Sequence, residues 1–250
     1  MKHLSVVAPT FHCKDLALIF VKSFEYFKPD DLTINYIIVE NSQDISYKED
    51  VIDLAPKVTW INNDITLVGS EANASGVEKG LKYVDDDWVF IAHCDVCVVN
   101  QLFYTDMFKK IDEGYKLIGT VLDPSKLRIN AIHISGFMME YEIAKRINYY
   151  PRKLEDGTFF DVGDEATSYC RKNNVKNYCF RNTFNNPALI DLIDDKYKPV
   201  YCDRCINDDN EVIFIHLGRG IPKTDKTYTK LGKTSLEGWK EFCYGEIIND

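Results

Sequence analysis

The sequence has no apolar segment that would place it in a membrane or carry it across one. No uncharged run among its 250 residues approaches the roughly 20 residues that span a bilayer. Residues 1–10 lack a basic segment followed by an apolar stretch, the pattern of a secretory signal. We therefore expect a cytoplasmic protein. Its 45% hydrophobic and 28% charged residues are ordinary for a globular protein large enough to bury a full core.

Arginine is absent from residues 1–120, and all seven arginines lie in the second half of the chain. The net charge of −9 makes the protein a poor general binder of nucleic acid. Residues 1–120 carry −8 of this charge and residues 121–250 carry only −1. The second half therefore retains enough basic residues for a local basic surface.

Eight cysteines are spread over the chain, which is too large to need disulfides for its stability. In a cytosol they are expected to be thiols. Two CxxC pairs, Cys94/Cys97 and Cys202/Cys205, each have the spacing of half a zinc site. The pairs lie far apart in the sequence and the first follows a strand, so we favour buried thiols over zinc.

Strand and helix patterns alternate in the first half of the chain. Runs rich in β-branched residues predict strands, and amphipathic segments predict helices. The predicted elements are strand Ser5–Pro9, helix 15–27, strand Leu32–Val39, helix 47–54, strand 57–61, helix 71–84 and strand 88–92. This βαβ rhythm is typical of an α/β fold with a parallel, doubly wound sheet.

The second half of the chain is less regular. Its predicted helices cover 101–113, 141–148 and 164–174, and its predicted strands cover 116–121, 130–138 and 212–216. No internal repeat or low-complexity linker is present, so we expect one continuous domain over residues 1–220. The polar, Lys-rich residues 221–250 are interpreted as a C-terminal extension or lid.

Polar residues stand at strand ends or helix starts along the whole chain. They are Pro9-Thr10, Glu40-Asn41, Asp95, the pair Asp164-Glu165, and His216. Because the carboxyl ends of parallel strands share one edge of a sheet, we expect these groups to converge on one ligand-binding crevice. The run Asp85-Asp86-Asp87 precedes its strand and is interpreted as a solvated turn.

The order of these elements resembles the family 2 glycosyltransferases of the GT-A fold, especially their rhamnosyltransferase-like branch. The resemblance covers residues 3–220 and depends on the ensemble of motifs rather than on any one of them. Besides Pro9-Thr10 and Glu40-Asn41, the matching segments are Asn73–Tyr83, His93-Cys94-Asp95-Val96, Ser135–Met139, Asp164–Arg171 and Ile215–Gly218.

The resemblance implies a Rossmann-like, mostly parallel central sheet flanked by helices. Residues 1–98 would form the nucleotide-sugar half and residues 99–220 the acceptor half. The implied reaction moves a sugar, with inversion at its reacting carbon, from a UDP- or dTDP-sugar to an acceptor hydroxyl. A divalent cation, Mn²⁺ or Mg²⁺, would neutralise the departing diphosphate.

Asp95 is the predicted metal ligand and His216 the second, and an imidazole ligand favours Mn²⁺ over Mg²⁺. Cys97 stands where the family motif usually has a second acid, so His216 and the diphosphate would complete the coordination. The remaining predicted donor-binding residues are Pro9, Thr10, Glu40, Asn73, Gly76 and, just beyond His216, Arg219.

The acceptor hydroxyl needs a general base. Alignment on Arg171 puts Glu165 at the family's catalytic-base position and Asp164 one residue before it. The usual order of this acidic pair is Glu-Asp, whereas here it is Asp-Glu. Asp164 is therefore an alternative base, and Asp161 is a third candidate.

The sequence leaves the acceptor open. Glycans and other saccharides are the usual acceptors of the family. Three basic, aromatic stretches could instead hold DNA and present a hydroxylated base, as in viruses that glycosylate their genomes, although a solvated surface is the simpler interpretation. These stretches are Lys145–Lys153, Arg171–Arg181 and Arg219–Lys240.

Two other classes of function share features with this sequence. A nucleotidyltransferase or pyrophosphorylase has a similar α/β architecture, but the Gly-rich phosphate loop that such enzymes generally carry is missing from Ala8–Lys14. A non-catalytic nucleotide-sugar-binding protein would tolerate Cys97 in place of an acid.

Overall fold

A computed structural model describes residues 2–120, 122–123, 129–218 and 234–248 of the chain. The first part contains strands β1 (Lys2–Thr10), β2 (Leu32–Glu40), β3 (Val58–Asn62), β4 (Trp88–Ala92) and β5 (Val96–Val98). Its helices are α1 (Lys14–Tyr26), α2 (Lys48–Ile52), α3 (Gly69–Leu81) and α4 (Leu102–Asp112). The strands and helices predicted for residues 1–98 are therefore all present, within a few residues of their expected ends.

The second part has shorter elements. Its strands are β6 (Leu117–Gly119), β7 (Leu122–Asp123), β8 (Ala131–Ile132), β9 (Gly136–Glu140), β10 (Arg152–Lys153), β11 (Phe159–Phe160), β12 (Asn177–Cys179), β13 (Arg181–Asn182), β14 (Asp203–Ile206) and β15 (Val212–His216). Its α-helices are α5 (Tyr141–Ala144), α6 (Asp164–Lys172) and α7 (Leu236–Phe242). Two 3₁₀ helices, Pro187–Asp191 and Asp195–Tyr197, and the π-helical turn Cys243–Ile247 complete the set.

A seven-stranded sheet in the order β12-β6-β9-β4-β1-β2-β3 forms the centre of the protein. Neighbouring strands run parallel except at β9, which is antiparallel to both β4 and β6. The prediction of a mostly parallel α/β sheet is confirmed. The order reverses between β1 and β4, the switch point at which doubly wound sheets open a ligand-binding crevice.

Both faces of the central sheet are covered. Along β1, Leu4, Val6 and Ala8 belong to the apolar cluster that also contains residues of α1, whereas Val7 belongs to the cluster that contains residues of α3 and α6. This alternation explains the continuous apolar runs in the sequence, since a parallel strand between two helical layers is buried on both sides.

A second sheet, β13-β14-β15-β5, is entirely antiparallel. The expectation that His216 ends a strand at the edge of the parallel sheet is therefore wrong. β5 follows β4 after a three-residue turn, leaves the central sheet and pairs with β15 instead. His216 reaches the crevice because of this pairing, not because its strand belongs to the parallel sheet.

Two predicted elements of the second half are also corrected. The strand expected over 130–138 is two strands, β8 and β9, because residues 133–135 turn between them and the Ser135 N–H donates to His133 Nδ1 at 3.0 Å. The helix expected over 141–148 ends at Ala144, and the chain then turns towards Pro151.

Part of the C-terminal region packs against the main body. In residues 234–248, Trp239 and Cys243 are completely buried in a third apolar cluster with Leu16 and Ile19 of α1 and Ile215 of β15. Residues 219–233 lie outside the described residues. None of the helices in the described ranges has the length and apolarity needed to cross a bilayer.

Candidate metal centre

The turn between β4 and β5 lies at the switch point of the central sheet. It consists of His93, Cys94 and Asp95, and the Asp95 side chain has no exposed surface. Asp95 is held next to β15 because its carbonyl accepts the Leu217 N–H at 2.9 Å, and His216 pairs in register with Val96. The antiparallel pairing therefore brings His216 beside Asp95.

His93, Asp95 and His216 form a cluster that we call the metal cluster. Each offers one ligand atom, and these atoms all lie within 4.8 Å of one another. Two atoms that share a cation at about 2.1 Å from each are separated by up to about 4.2 Å, so a small contraction would close the cluster around an ion. Within the described part of the chain, no other group of three such residues meets this spacing.

The donor set of the metal cluster suits a divalent cation. His216 Nε2 lies 3.3 Å from Asp95 Oδ1, and neither nitrogen of this buried imidazole has hydrogen-bond geometry with a described residue. Two imidazoles and one carboxylate are a set that Mn²⁺ accepts more readily than Mg²⁺, which prefers oxygen ligands. His93, Asp95 and His216 would hold the ion, which leaves coordination positions for diphosphate oxygens.

Asp203 faces the other side of the His216 ring. It is the cross-strand partner of His216 in the β14–β15 pair, and its Oδ2 lies 3.5 Å from His216 Nδ1. Burial alone would lower the pKa of His216, but the charges of Asp95 and Asp203 outweigh burial and raise it. A carboxylate on the outer nitrogen of a metal-bound histidine orients the ring and fixes its tautomer, so Asp203 is placed to position His216.

Sequence reasoning missed His93 as a candidate metal ligand. Its Nε2 lies 3.2 Å from Nδ2 of Asn73 on α3, so Asn73 contacts a member of the metal cluster, and its binding of the donor stays a prediction. The available signal was the His-x-Asp spacing of His93 and Asp95. Cys97, at the position where the family motif usually has a second acid, is buried in the third apolar cluster with Trp239 and Cys243.

Pro9 and Gly76 lie against each other at the carboxyl end of the sheet. A Cβ atom on Gly76 would come within 2.9 Å of Pro9 Cβ and 3.0 Å of Asn41 Nδ2. A glycine is therefore needed for α3 to approach the ends of β1 and β2 this closely. This close packing is sufficient to account for a proline and a glycine at these two positions. Their binding of the donor stays a prediction.

Glu40 is completely buried at the end of β2 and bonded by its neighbours. Its carboxylate accepts the Thr10 hydroxyl at 2.7 Å, the Ser42 N–H at 2.6 Å, and the hydroxyls of Ser42 and Tyr47. These bonds tie the ends of β1 and β2 to the loop before α2. A nucleotide would have to share an acceptor that four protein donors already use.

The three candidate bases surround the start of α6. Asp164 is buried, and its Oδ2 accepts the Asp161 N–H at 2.9 Å, while Asp161 Oδ1 accepts the Val162 N–H at 2.8 Å. Glu165 forms an ion pair with Arg152 and keeps 25% of its side chain exposed. Of the two adjacent acids, Glu165 is thus the more accessible.

The start of α6 is connected to the metal cluster through the segment 133–137. A Cβ atom on Gly163 would contact Ile134 and Phe137 at 3.2 and 3.3 Å. The centroids of the His133 and His93 rings are 5.6 Å apart. The acidic residues of α6 and the metal cluster therefore flank the same short segment.

Several arginines of the basic stretches are used within the fold. Arg171 donates to the carbonyls of Ile129 and Asn130, and Arg181 donates to the carbonyl of Asn207. Arg152 is engaged by Glu165. Arg219, predicted to bind the diphosphate, lies outside the described residues.

Neither a protein-family model nor a curated protein sequence matches this chain. Its structure is similar to the mannosyltransferase PcManGT from Pyrobaculum calidifontis, solved with GDP-Man and Mn²⁺ (17% identity, 57% of this chain and 46% of that chain covered, TM-score 0.44). It is also similar to residues 1–349 of TarS from S. aureus (13% identity, 61% and 50% covered, TM-score 0.46). The chain spans about half the length of these two structures.

A further similar structure is the glucosyl-3-phosphoglycerate synthase from Mycobacterium tuberculosis with Mn²⁺, UDP and phosphoglyceric acid (12% identity, 71% and 68% covered, TM-score 0.49). The expected similarity to glycosyltransferases is thus found among solved structures, while the rhamnosyltransferase-like branch stays a prediction. At these identities and TM-scores the likeness is one of fold at most.

Proposed function

We propose that this chain is a metal-dependent glycosyltransferase that moves a sugar from a nucleotide-diphosphate sugar to an acceptor hydroxyl. The observation that supports it best is the metal cluster of His93, Asp95 and His216 beside the switch point of the mostly parallel sheet. Such sheets bind nucleotides at this place, and a nitrogen-oxygen ligand set there suits a cation that binds a diphosphate.

A bound Mn²⁺ or Mg²⁺ would supply positive charge to the leaving diphosphate. His93, Asp95 and His216 would hold this ion largely away from solvent, since Asp95 and His216 are buried and His93 is half-buried beside Asn73. Two imidazole ligands favour Mn²⁺. UDP- and dTDP-sugars are the proposed donors.

Glu165 is the proposed general base, which takes the proton of the acceptor hydroxyl as it attacks with inversion. The ion pair with Arg152 fixes the position of this carboxylate beside the start of α6. Asp164 is the alternative base, but its complete burial and its bond to the Asp161 N–H favour a role in shaping the start of α6.

A saccharide is the proposed acceptor. Arg152, Arg171 and Arg181, which made DNA a candidate, are engaged in contacts within the chain. These contacts use N–H donors that could otherwise bind a phosphate backbone. A hydroxylated DNA base is therefore tested as the second acceptor class.

The proposal is tested by thermal unfolding with nucleotide sugars in the presence and absence of Mn²⁺. A ligand at 100 times its Kd stabilises the folded chain by about 2.7 kcal/mol, so a true donor should raise the midpoint only when Mn²⁺ is present. Asp95→Asn should remove this rise. His3→Ala, which changes an exposed histidine at the opposite end of β1, should preserve it.

Turnover then separates the classes of function. A glycosyltransferase should release nucleoside diphosphate in the presence of Mn²⁺ and transfer the sugar to a saccharide or to hydroxymethylated DNA. Donor binding without any turnover would show a non-catalytic binding protein. Formation of pyrophosphate from a nucleoside triphosphate and a sugar 1-phosphate would show a nucleotidyltransferase. The absence of Mn²⁺-dependent binding for every donor in a folded chain would refute the proposal.

A further inference from the structure

Two buried cysteines meet across the switch-point crevice. Cys13 Sγ and Cys94 Sγ are 3.1 Å apart, although 81 positions separate the residues in the sequence. Each residue is only 4% exposed. The separation is about 1 Å longer than a disulfide bond of about 2.05 Å, so a small movement would bring the sulfurs to bonding distance.

The two cysteines lie in the loops that follow β1 and β4. Cys94 stands between the metal ligands His93 and Asp95, and Cys13 directly precedes α1. The Phe11 N–H donates to Cys13 Sγ at 3.4 Å, which holds this sulfur in the crevice. The backbone of the intervening His12 is left-handed, with φ of 46°, and this turn directs Cys13 towards Cys94.

We propose that Cys13 and Cys94 are a reversible oxidation site, at which a hydroperoxide joins the two cysteines in an intramolecular disulfide. The bond would connect the end of β1 to the metal-binding turn after β4. Cys97 and Cys243 belong to the same apolar cluster as Cys13 and Cys94 and also neighbour each other, so they are the competing pair. Only Cys94 lies within the turn between His93 and Asp95, whereas Cys97 lies in β5.

The reaction with hydrogen peroxide balances in two steps. One cysteine sulfur attacks a peroxide oxygen, becomes a sulfenic acid and releases one water molecule. The sulfur of the second cysteine then attacks the sulfenic sulfur, and the hydroxyl leaves as a second water molecule. Two thiols have lost two electrons and two protons, the O–O bond has been reduced, and a dithiol reductant reverses the change.

Formation of the bond would also affect the metal cluster, a consequence that rests on the proposed function. Closing the sulfur separation pulls Cys94 towards α1, and its two sequence neighbours supply ligand atoms to the cluster. We expect the oxidised chain to bind Mn²⁺ about tenfold more weakly, a loss of the size caused by disturbing the surroundings of metal ligands.

The test counts thiols in the folded, full-length chain. The chain is treated with hydrogen peroxide, and its remaining thiols are alkylated under denaturing conditions. Mass spectrometry then gives the number of alkyl groups, and hence the number of thiols that remained. The wild type should lose two of its eight thiols, regain them with dithiothreitol, and give a peptide pair that contains Cys13 and Cys94. Cys179→Ser, a matched control at a partly exposed cysteine, should also lose two.

Cys13→Ser and Cys94→Ser should each form no disulfide and lose at most one thiol, as an unresolved sulfenic acid. Cys13→Ala and Cys94→Ala replace any variant that circular dichroism shows to be unfolded. Retention of all eight thiols in the wild type, or a disulfide between other cysteines, would overturn the oxidation site. An unchanged Mn²⁺ affinity in the cross-linked chain would overturn its effect on the metal. If the reduced chain binds no Mn²⁺, the proposed function fails, while the thiol count still decides the oxidation site.

Discussion

Two buried carboxylates stand close to the switch point, and their surroundings differ. Glu40, at the end of β2, accepts bonds from Thr10, Ser42 and Tyr47. Asp95, after β4, faces the imidazoles of His93 and His216. Both acids follow apolar strands in the sequence, yet the first is surrounded by donors that suit a structural acceptor and the second by groups that bind metals.

The comparison shows that two carboxylates at strand ends can have very different surroundings, so the position alone does not define the role. A buried charge needs partners, and the type of partner indicates its use. Hydroxyl and N–H donors around Glu40 stabilise the fold without a ligand, whereas imidazoles beside Asp95 have a second use as ligands. The predictions below therefore separate stability from metal binding.

Asp95→Asn should have the largest effect. It removes the charged ligand of the metal cluster, so we expect Mn²⁺ affinity to fall more than about 100-fold and Mn²⁺-dependent donor binding to disappear. Isothermal titration with Mn²⁺ measures the first effect. The fold should persist in circular dichroism, and an asparagine variant with wild-type Mn²⁺ affinity would show that Asp95 is not a metal ligand.

Glu40→Gln should lower the stability of the fold and leave metal binding almost unchanged, the opposite of Asp95→Asn. It replaces a charged acceptor by an amide that cannot accept from all four donors, and hydrogen bonds to charged groups contribute about 1.5–3 kcal/mol each. We expect a loss of about 2–3 kcal/mol in the free energy of unfolding, measured by urea denaturation. Mn²⁺ affinity should change by less than about threefold, because Glu40 is not part of the metal cluster.

Asp203→Asn tests how His216 is held. Without the Asp203 carboxylate beside His216 Nδ1, Mn²⁺ affinity should fall by about 10–100-fold. This loss is smaller than the one expected for Asp95→Asn, which removes a ligand itself. Asp208→Asn is the control, since Asp208 lies in the turn between the same two strands but bonds to Tyr178 and Lys110. Equal Mn²⁺ affinities for the two variants would exclude a positioning role for Asp203.

The pKa of His216 predicts opposite pH dependences for stability and metal binding. Burial alone would lower this pKa, but Asp95 and Asp203 raise it in the folded, metal-free chain. The stabilisation is complete below the unfolded pKa of about 6.5 and is lost as pH rises through the folded pKa. Mn²⁺ affinity should rise over the same range, because the proton competes with the metal.

This pH effect is measured by urea denaturation and Mn²⁺ titration across the range, with His216→Gln for comparison. The difference in unfolding free energy between the wild type and the variant should shrink as pH rises. A difference that grows with pH would contradict the raised pKa.

Tyr47→Phe should have the smallest effect. It removes one of the hydroxyls that donate to Glu40, so we expect a loss of about 1 kcal/mol in unfolding free energy and an unchanged Mn²⁺ affinity. A loss as large as that of Glu40→Gln would show that the tyrosine, rather than the whole donor set, stabilises the buried carboxylate.

The sequence predicted the first half of the fold well because its strands are apolar on both faces and its helices are amphipathic. These local patterns located β1 to β4 and the turn that contains Asp95. The second half was harder to predict because strands such as β8, β10 and β13 have only two residues each. Elements this short are fixed by their partners rather than by their own periodicity.

The sequence alone determined the α/β architecture, the burial of the strands and the place of Asp95 at a strand end, since each follows from local patterning of apolar and polar residues. Only the tertiary structure decided which residues surround that acid. The departure of β5 from the central sheet and its pairing with β15 brought His216 to the turn that holds His93 and Asp95, and the approach of α3 placed Asn73 beside His93. His216 and Asn73 lie far from this turn in the chain, and their contacts depend on packing and strand register, which no local pattern records.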